Sequence, residues 1–231
     1  MSDHTTLVTK KAQALHALSL FAKELAPLLP RELGPSEADA TLGALPAELV
    51  RLLALMPDPG WRAPQMRAFG ISGAIYLALY LQLKQRGKTA EQAWDLCEQA
   101  TRSQFLKMSA LSRKLLSWAT FSSPWKFLAR GLARRTQSEA VGGWQLDYFP
   151  RQAGEFDYGV SYRRCAIFQL AKDAGAGEFA PFICQADIVA SEVLGWGLLR
   201  TETLAQSGKQ CDFRFRRHQA TSVRVKLPVL P

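Results

Sequence analysis

Hydrophobic residues recur at helical spacing through the first 140 positions. Leu7, Ala14, Leu18, Phe21 and Leu25 carry that spacing between Thr5 and Ala26, and Pro27 and Pro30 stop the run. Leu45 to Met56 is a second amphipathic stretch, ended by Pro57, Pro59 and Gly60. Pro64 suits the first turn of a third helix, which runs through Tyr76 and Leu83 to Arg86 before Gly87. Thr89 with Gln92 has the form of a capping box, because each side chain can satisfy a free N–H of the other's backbone. The pattern predicts a long helix after it, bearing Trp94, Leu96, Phe105, Met108 and Leu115. Ser123-Pro124 opens one more, with Phe127, Leu128 and Leu132 as its apolar residues. The methionines and aromatics of these helices read as core.

The texture changes after Gly142-Gly143. Trp144 to Tyr148 alternates between Gly143 and Pro150, which predicts a strand, and Phe156 to Tyr162 predicts a second. Arg164 to Asp173 reads as helix, ending near Gly175 and Gly177. Phe179 to Leu194 reads as another, with Gly195 as its C-cap. Trp196 to Leu204 and Gln210 to Arg216 read as strands joined across Gly208. The expected fold class is therefore α+β: a helical N-terminal half (1–140) packed on a small antiparallel sheet with two further helices (141–231), together one compact domain.

Composition narrows this picture. The chain has 231 residues, 48% of them hydrophobic and 21% charged, enough to bury a sizeable core. It shows no run of about 18 or more uncharged apolar residues and no secretory pattern at its start, so no membrane is expected as a partner and the location expected is cytoplasmic. In that compartment the four cysteines are expected as free thiols. Net charge is +9. Much of the excess lies in Arg102, Lys107, Arg113, Lys114, Lys126, Arg130, Arg134 and Arg135, with no acidic residue between Arg102 and Gln137. Such a stretch can bind nucleic acid, form a solvated helix face, or draw in a small anion. No zinc-finger spacing, RNP-like motif or helix-turn-helix accompanies it, so nucleic acid is not the expected partner. A homo-oligomer is compatible with the sequence.

The chemistry concentrates in the last third. Cys165 follows Tyr162-Arg163-Arg164, Cys184 and Asp187 stand three apart, and Cys211 and Asp212 are adjacent. On a helix, positions three apart share a face, so Cys184 and Asp187 are expected to point the same way. On a strand, neighbours face opposite sides, so Asp212 goes with Arg214 rather than with Cys211, Phe213 and Phe215. Cysteine is also a common buried apolar residue, and Cys97 and Cys165 taken alone fit that role. The thiols with Asp187 could hold zinc. However, the segment has no Cys-x2-Cys pair and its one nearby histidine, His218, sits among basic and polar residues, so no metal or other cofactor is expected.

Tyr162 before Cys165, Phe182 with Cys184-Gln185-Ala186-Asp187, Arg200-Thr201-Glu202-Thr203-Leu204-Ala205, and Gly208 with Cys211-Asp212-Phe213-Arg214-Phe215 resemble the L-2-amino-thiazoline-4-carboxylic acid hydrolase family. The resemblance implies hydrolytic opening of a small anionic heterocycle at an amidine-type carbon, giving a carbamoyl cysteine; the alternative is a diverged, non-hydrolytic member acting as an isomerase, a tailoring enzyme or a small-molecule- or metal-binding module. It implies a catalytic set of Cys184, Asp187, Cys211, Cys165 and Asp212, with Arg200 and Thr203 binding substrate. A thiolate can attack when positive charge lowers its pKa, an aspartate can position water or carry a proton, and an arginine can grip a carboxylate. No histidine pairs evidently with a cysteine. A thiol nucleophile and a water held by Asp187 both fit. Strand alternation also puts Glu202 on the face of Arg200, where the two can simply pair.

Overall fold

The computed structural model describes residues 2–60, 63–137, 139–206 and 208–224. Positions 225–231 of the expected C-terminal region lie outside the described residues. The helical half comprises α1 (Ser2–Leu25), α2 (Leu29–Leu33), α3 (Pro35–Leu55), α4 (Pro64–Lys84), α5 (Ala90–Lys107), α6 (Ala110–Thr120) and α7 (Ser123–Arg135). Then follow β1 (Gln145–Phe149), β2 (Tyr158–Arg164), α8 (Ala166–Asp173), α9 (Ala180–Ile183), α10 (Ala186–Leu194), β3 (Leu198–Arg200), β4 (Cys211–Phe215) and β5 (Ser222–Val223). The class is α+β, with helices first and the sheet last.

α4 is the hub. Its burial runs almost all round, from Met66 through Ile71, Ala74, Leu77 and Ala78 to Leu83, as a helix enclosed on every side requires. By length and composition it is the one helix among the described residues that could cross a membrane, but 78% of its apolar window is buried inside the protein. α1 meets it through Phe21, whose ring stands edge-on to Tyr76, and Tyr76 is edge-on to Trp94 of α5. The Tyr76 hydroxyl is satisfied by Thr101 at 2.9 Å, so this aromatic core holds no idle polar group. α8 packs against α4 at Gly73, where a Cβ would come within 2.7 Å of Ile167. The bare glycine is what lets the two helices approach.

The capping box at Thr89 forms in both directions: Gln92 N–H donates to Thr89 Oγ1 at 3.2 Å and Thr89 N–H to Gln92 Oε1 at 3.0 Å. The long helix predicted after it is two. α5 stops at Lys107, Met108 turns extended, and Ser109 caps α6 by accepting the N–H of Ser112. The predicted Leu45–Met56 helix likewise starts earlier, at Pro35, and carries Pro46 inside it.

Sheet order is β1-β2-β4-β3-β5. The pairs β1–β2, β2–β4 and β3–β4 are antiparallel, as expected. The edge departs from that expectation, since β3 pairs with β5 in parallel through Leu199–Ser222 and Arg200–Val223. β4 ends beside the start of β3, and the short connection 216–221 passes that end to place β5 on the far side of β3, running with it. The predicted strand Trp196–Leu204 shortens to Leu198–Arg200, because the chain turns after Arg200 and winds into a 3₁₀ turn at Leu204–Gln206.

Candidate active site

The predicted helix Phe179–Leu194 is broken, and the break builds the site. A 3₁₀ turn at Gly177–Phe179 leads into α9, the chain kinks through Cys184 and Gln185, and α10 begins at Ala186. Cys184 therefore ends one short helix and Asp187 stands in the first turn of the next, so they do not share one helix face as the three-residue spacing suggested. Gln185 steadies the kink by donating from Nε2 to the Pro181 carbonyl at 3.2 Å. Gly195, in left-handed conformation, ends α10 as predicted.

Cys165 arrives at the end of β2, as the residue that caps α8. Cys211 opens β4 directly across from Tyr162 of β2. Its Sγ accepts the backbone N–H of Leu204 at 3.2 Å, which ties the thiol to the turn after β3. Arg200 closes β3, and its side chain is wholly buried. The guanidinium donates from Nη1 to the Cys184 carbonyl at 2.8 Å, lies 3.5 Å from the Asp187 carboxylate, and sits 5.5 Å over the Phe213 ring. Two of its nitrogens, Nε and Nη2, are buried without a hydrogen-bond partner among the described residues. An unpartnered buried N–H is costly, so a guanidinium with two of them is set to receive an acceptor.

Asp187 lies deep among protein atoms yet keeps 49% of its side-chain surface accessible. That combination describes a carboxylate lining a recess rather than one packed in solid core. Desolvation raises its pKa, and the charge of Arg200 pulls it part of the way back. The thiols respond to the same burial. Cys165 is pushed up to about 12, eased by the backbone N–H groups of Phe168 and Ile167. Cys211 is pushed up to about 11, eased by the Leu204 N–H and by Arg200. Cys184 is raised well above the ordinary thiol value by burial, then by Cys211 and Cys165, with Arg200 opposing. These mutual influences place the three thiols, Asp187 and Arg200 in one neighbourhood. Burial thus favours the protonated form of all three sulfurs.

Other expected site residues fall elsewhere. Asp212 faces away from Cys211, as strand alternation required, and its carboxylate accepts the N–H of Thr201 at 2.8 Å, the N–H of Glu202 at 2.7 Å and the Thr201 hydroxyl at 2.7 Å. It holds the turn that presents Arg200 and Leu204 and does not reach into the recess. Thr203 is buried, with its hydroxyl 3.1 Å from Gln206 Oε1. Glu202 does not pair with Arg200, because the turn carries it off the strand and its carboxylate accepts the Lys209 N–H at 3.2 Å. Cys97 is buried in α5 and does not figure among the groups that shift Cys165, Cys184, Asp187 or Cys211, and all four cysteines are free thiols. His218 is exposed. Among the described residues no three His, Cys, Asp or Glu side chains are grouped to hold a metal ion, so the zinc reading gains no support from the geometry.

Sequence reasoning missed the walls. Tyr162 is edge-on to Phe213 at 5.5 Å and to Trp144 at 5.6 Å, is half-buried, and feels the charges of Asp187, Cys165 and Cys211. The available signal was register: an antiparallel β2–β4 pair sets Tyr162 opposite Cys211. Two grooves of about 230 and 560 Å³ lie instead on the helical half, against α1 and α5. Neither is lined by a cysteine or by Asp187. Volume without converging reactive groups is a weaker mark of a catalytic site than the recess at Arg200.

Fold and recess together define an α+β protein with a thiol- and carboxylate-lined site around a buried arginine. A family model described as L-2-amino-thiazoline-4-carboxylic acid hydrolase matches residues 68–215, and the chain belongs to that family. The match runs from α4 to the end of β4 and so spans every residue of the recess. Comparison with curated proteins and with solved structures gave no match.

Proposed function

We propose that the recess hydrolyses a small anionic heterocycle of the 2-aminothiazoline carboxylate kind, opening the ring at its amidine-type carbon to give a carbamoyl cysteine. The observation that carries this reading is Arg200: fully buried, with Nε and Nη2 unpartnered beside Asp187 and Cys184. A substrate carboxylate satisfies both N–H groups in a bidentate grip and neutralises a charge that is otherwise poorly compensated. Its ring then lies among Asp187, Cys184 and Cys211, walled by Phe213 and Tyr162.

In this reading water adds to the amidine carbon. Asp187 takes the proton from the attacking water and returns it to the departing ring sulfur or nitrogen as the carbon–heteroatom bond breaks. A carboxylate with a raised pKa suits both halves of that task, because it exchanges a proton closer to neutrality than an ordinary aspartate does. The high thiol pKa values favour direct attack by water, since a protonated sulfur is a poor nucleophile. The thiols then shape the recess and present weakly polar S–H groups to the ring.

Incubation of the purified chain with 2-aminothiazoline-4-carboxylate, with chromatographic detection of the ring-opened carbamoyl cysteine, tests this. Turnover that disappears in Asp187→Asn and persists at a reduced level in Cys184→Ala supports water attack. Trapping of a covalent adduct on Cys184 would replace it with thiol attack, and absence of product from the wild-type protein would refute the substrate class.

A further inference from the structure

α6 and α7 present their apolar side chains outward. Leu111, Leu115 and Trp118 form one stripe of α6 and all are exposed, Leu111 at 67%. The one buried residue of α6 is the polar Thr120. On α7, Phe127 is 74% exposed and Leu128 lies open beside it, while Leu132 and Ala133 face the protein. An amphipathic helix normally turns its apolar stripe to the core. Here two consecutive, mutually packed helices turn leucine, tryptophan and phenylalanine to solvent, and large apolar side chains exposed in this number mark an interaction surface.

Charge selects the occupant. From Gln99 to Ser138 the chain has eight Lys and Arg and no Asp or Glu. Lys114 on α6, and Arg130 and Arg134 on α7, are exposed cations on the same two helices. Arg130 is braced against the Tyr148 ring at 5.3 Å. A second copy of this chain would bring like charges face to face across a two-fold axis. Nucleic acid would put phosphates against cations, but here leucines and a phenylalanine stand among them. Outward Leu, Trp and Phe flanked by Lys and Arg is the composition of a helix that lies in the interface of an anionic bilayer.

We propose that the α6–α7 hairpin is a peripheral docking surface for anionic lipid membranes, with Leu111, Leu115, Trp118, Phe127 and Leu128 entering the headgroup boundary and Lys114, Arg130 and Arg134 meeting lipid charge. This departs from the expectation that no membrane is involved, which addressed spanning segments. α6 packs on α10, so docking sets the membrane one helix away from the recess that contains Asp187.

Co-sedimentation of the full chain with phosphatidylcholine vesicles, with and without phosphatidylglycerol, at low and high salt, tests the proposal. The expected result is binding to the anionic vesicles that weakens with salt, and a blue shift of tryptophan emission that is lost in Trp118→Phe. Leu115→Ser with Phe127→Ser should weaken partitioning by more than about tenfold, and each of Lys114→Gln, Arg130→Gln and Arg134→Gln by about fivefold at low salt. These side chains are exposed, so the variants should melt with the wild-type protein, which separates lost docking from lost folding. No binding to anionic vesicles at low salt overturns the proposal. So does equal binding to neutral vesicles, a stable dimer that Leu115→Ser dissociates, or displacement from vesicles by duplex DNA at equal charge.

Discussion

Replacing Arg200 by methionine separates holding the fold from holding a ligand. The change removes the hydrogen bond from Nη1 to the Cys184 carbonyl at 2.8 Å, and a charged donor of this kind contributes about 1.5–3 kcal/mol. It also removes the contact with Asp187 at 3.5 Å, which contributes under about 1 kcal/mol because that carboxylate is half-accessible. Against these losses stand two buried nitrogens without partners among the described residues, each costing about 1–3 kcal/mol unless a ligand accepts from it. Methionine fills similar volume and keeps a sulfur contact with Phe213 in place of the stacked guanidinium. Losses and gains are of one size, so the unfolding free energy should stay within about 2 kcal/mol of wild type. Catalysis has no such compensation: loss of the carboxylate grip should lower kcat/KM by about thirty- to several-thousand-fold, the equivalent of 2–5 kcal/mol. Urea unfolding midpoints and steady-state kinetics on the same preparations decide it. A variant destabilised by more than about 4 kcal/mol would make Arg200 a structural residue. An unchanged kcat/KM would remove it from the site.

Three further predictions follow from the surroundings of Arg200. Burial raises the Asp187 pKa, so this group favours folding at low pH and that contribution is lost as pH rises through its folded value; Asp187→Asn should unfold at an equal or higher urea concentration than wild type at pH 7, and the gap should close on acidification. With the Cys184, Cys165 and Cys211 thiols all raised, iodoacetamide at pH 8 should alkylate the native protein far more slowly than free cysteine, while denaturation exposes four reactive thiols by mass spectrometry; rapid native labelling of Cys184 would show an activating group that the pKa argument lacks. Asp212→Asn keeps a carbonyl acceptor for the Thr201 and Glu202 N–H groups and should retain most activity, whereas Asp212→Ala frees the turn, costs about 1–3 kcal/mol of stability and lowers kcat with it; equal and complete loss of turnover in both, without loss of stability, would make Asp212 a reacting group.

What the sequence made legible follows from what local signals encode. The capping box at Thr89, the prolines at Pro64 and Pro124 and the glycine at Gly195 act within a few residues, and the structure places helix ends at each of them. The breaks at Met108–Ser109 and Cys184–Gln185 were hidden because apolar periodicity continues across both. Periodicity was read as burial, and for α6 that step fails: Leu111, Leu115 and Trp118 keep helical spacing while facing solvent. The same step placed the aromatic Phe127 in a core it does not enter.

For the site, residue types were visible and the positions of their partners were not. Alternation set Asp212 apart from Cys211, because facing on a strand is a local property, and its carboxylate does bind the turn instead. The partner of Arg200 is not local. Glu202, its neighbour by alternation, leaves the strand, and the carboxylate that reaches the guanidinium comes from α10 through a helix break that no spacing rule foresees. That break also explains why Arg200 remains only partly satisfied. Cys184 offers its carbonyl to one nitrogen and Asp187 approaches at a long 3.5 Å, so packing brings a cation into the interior without completing its hydrogen bonds. A fold selected for stability alone would have an apolar side chain there. The incomplete shell around Arg200 is the physical reason to place the ligand at that residue and not in the grooves on the helical half.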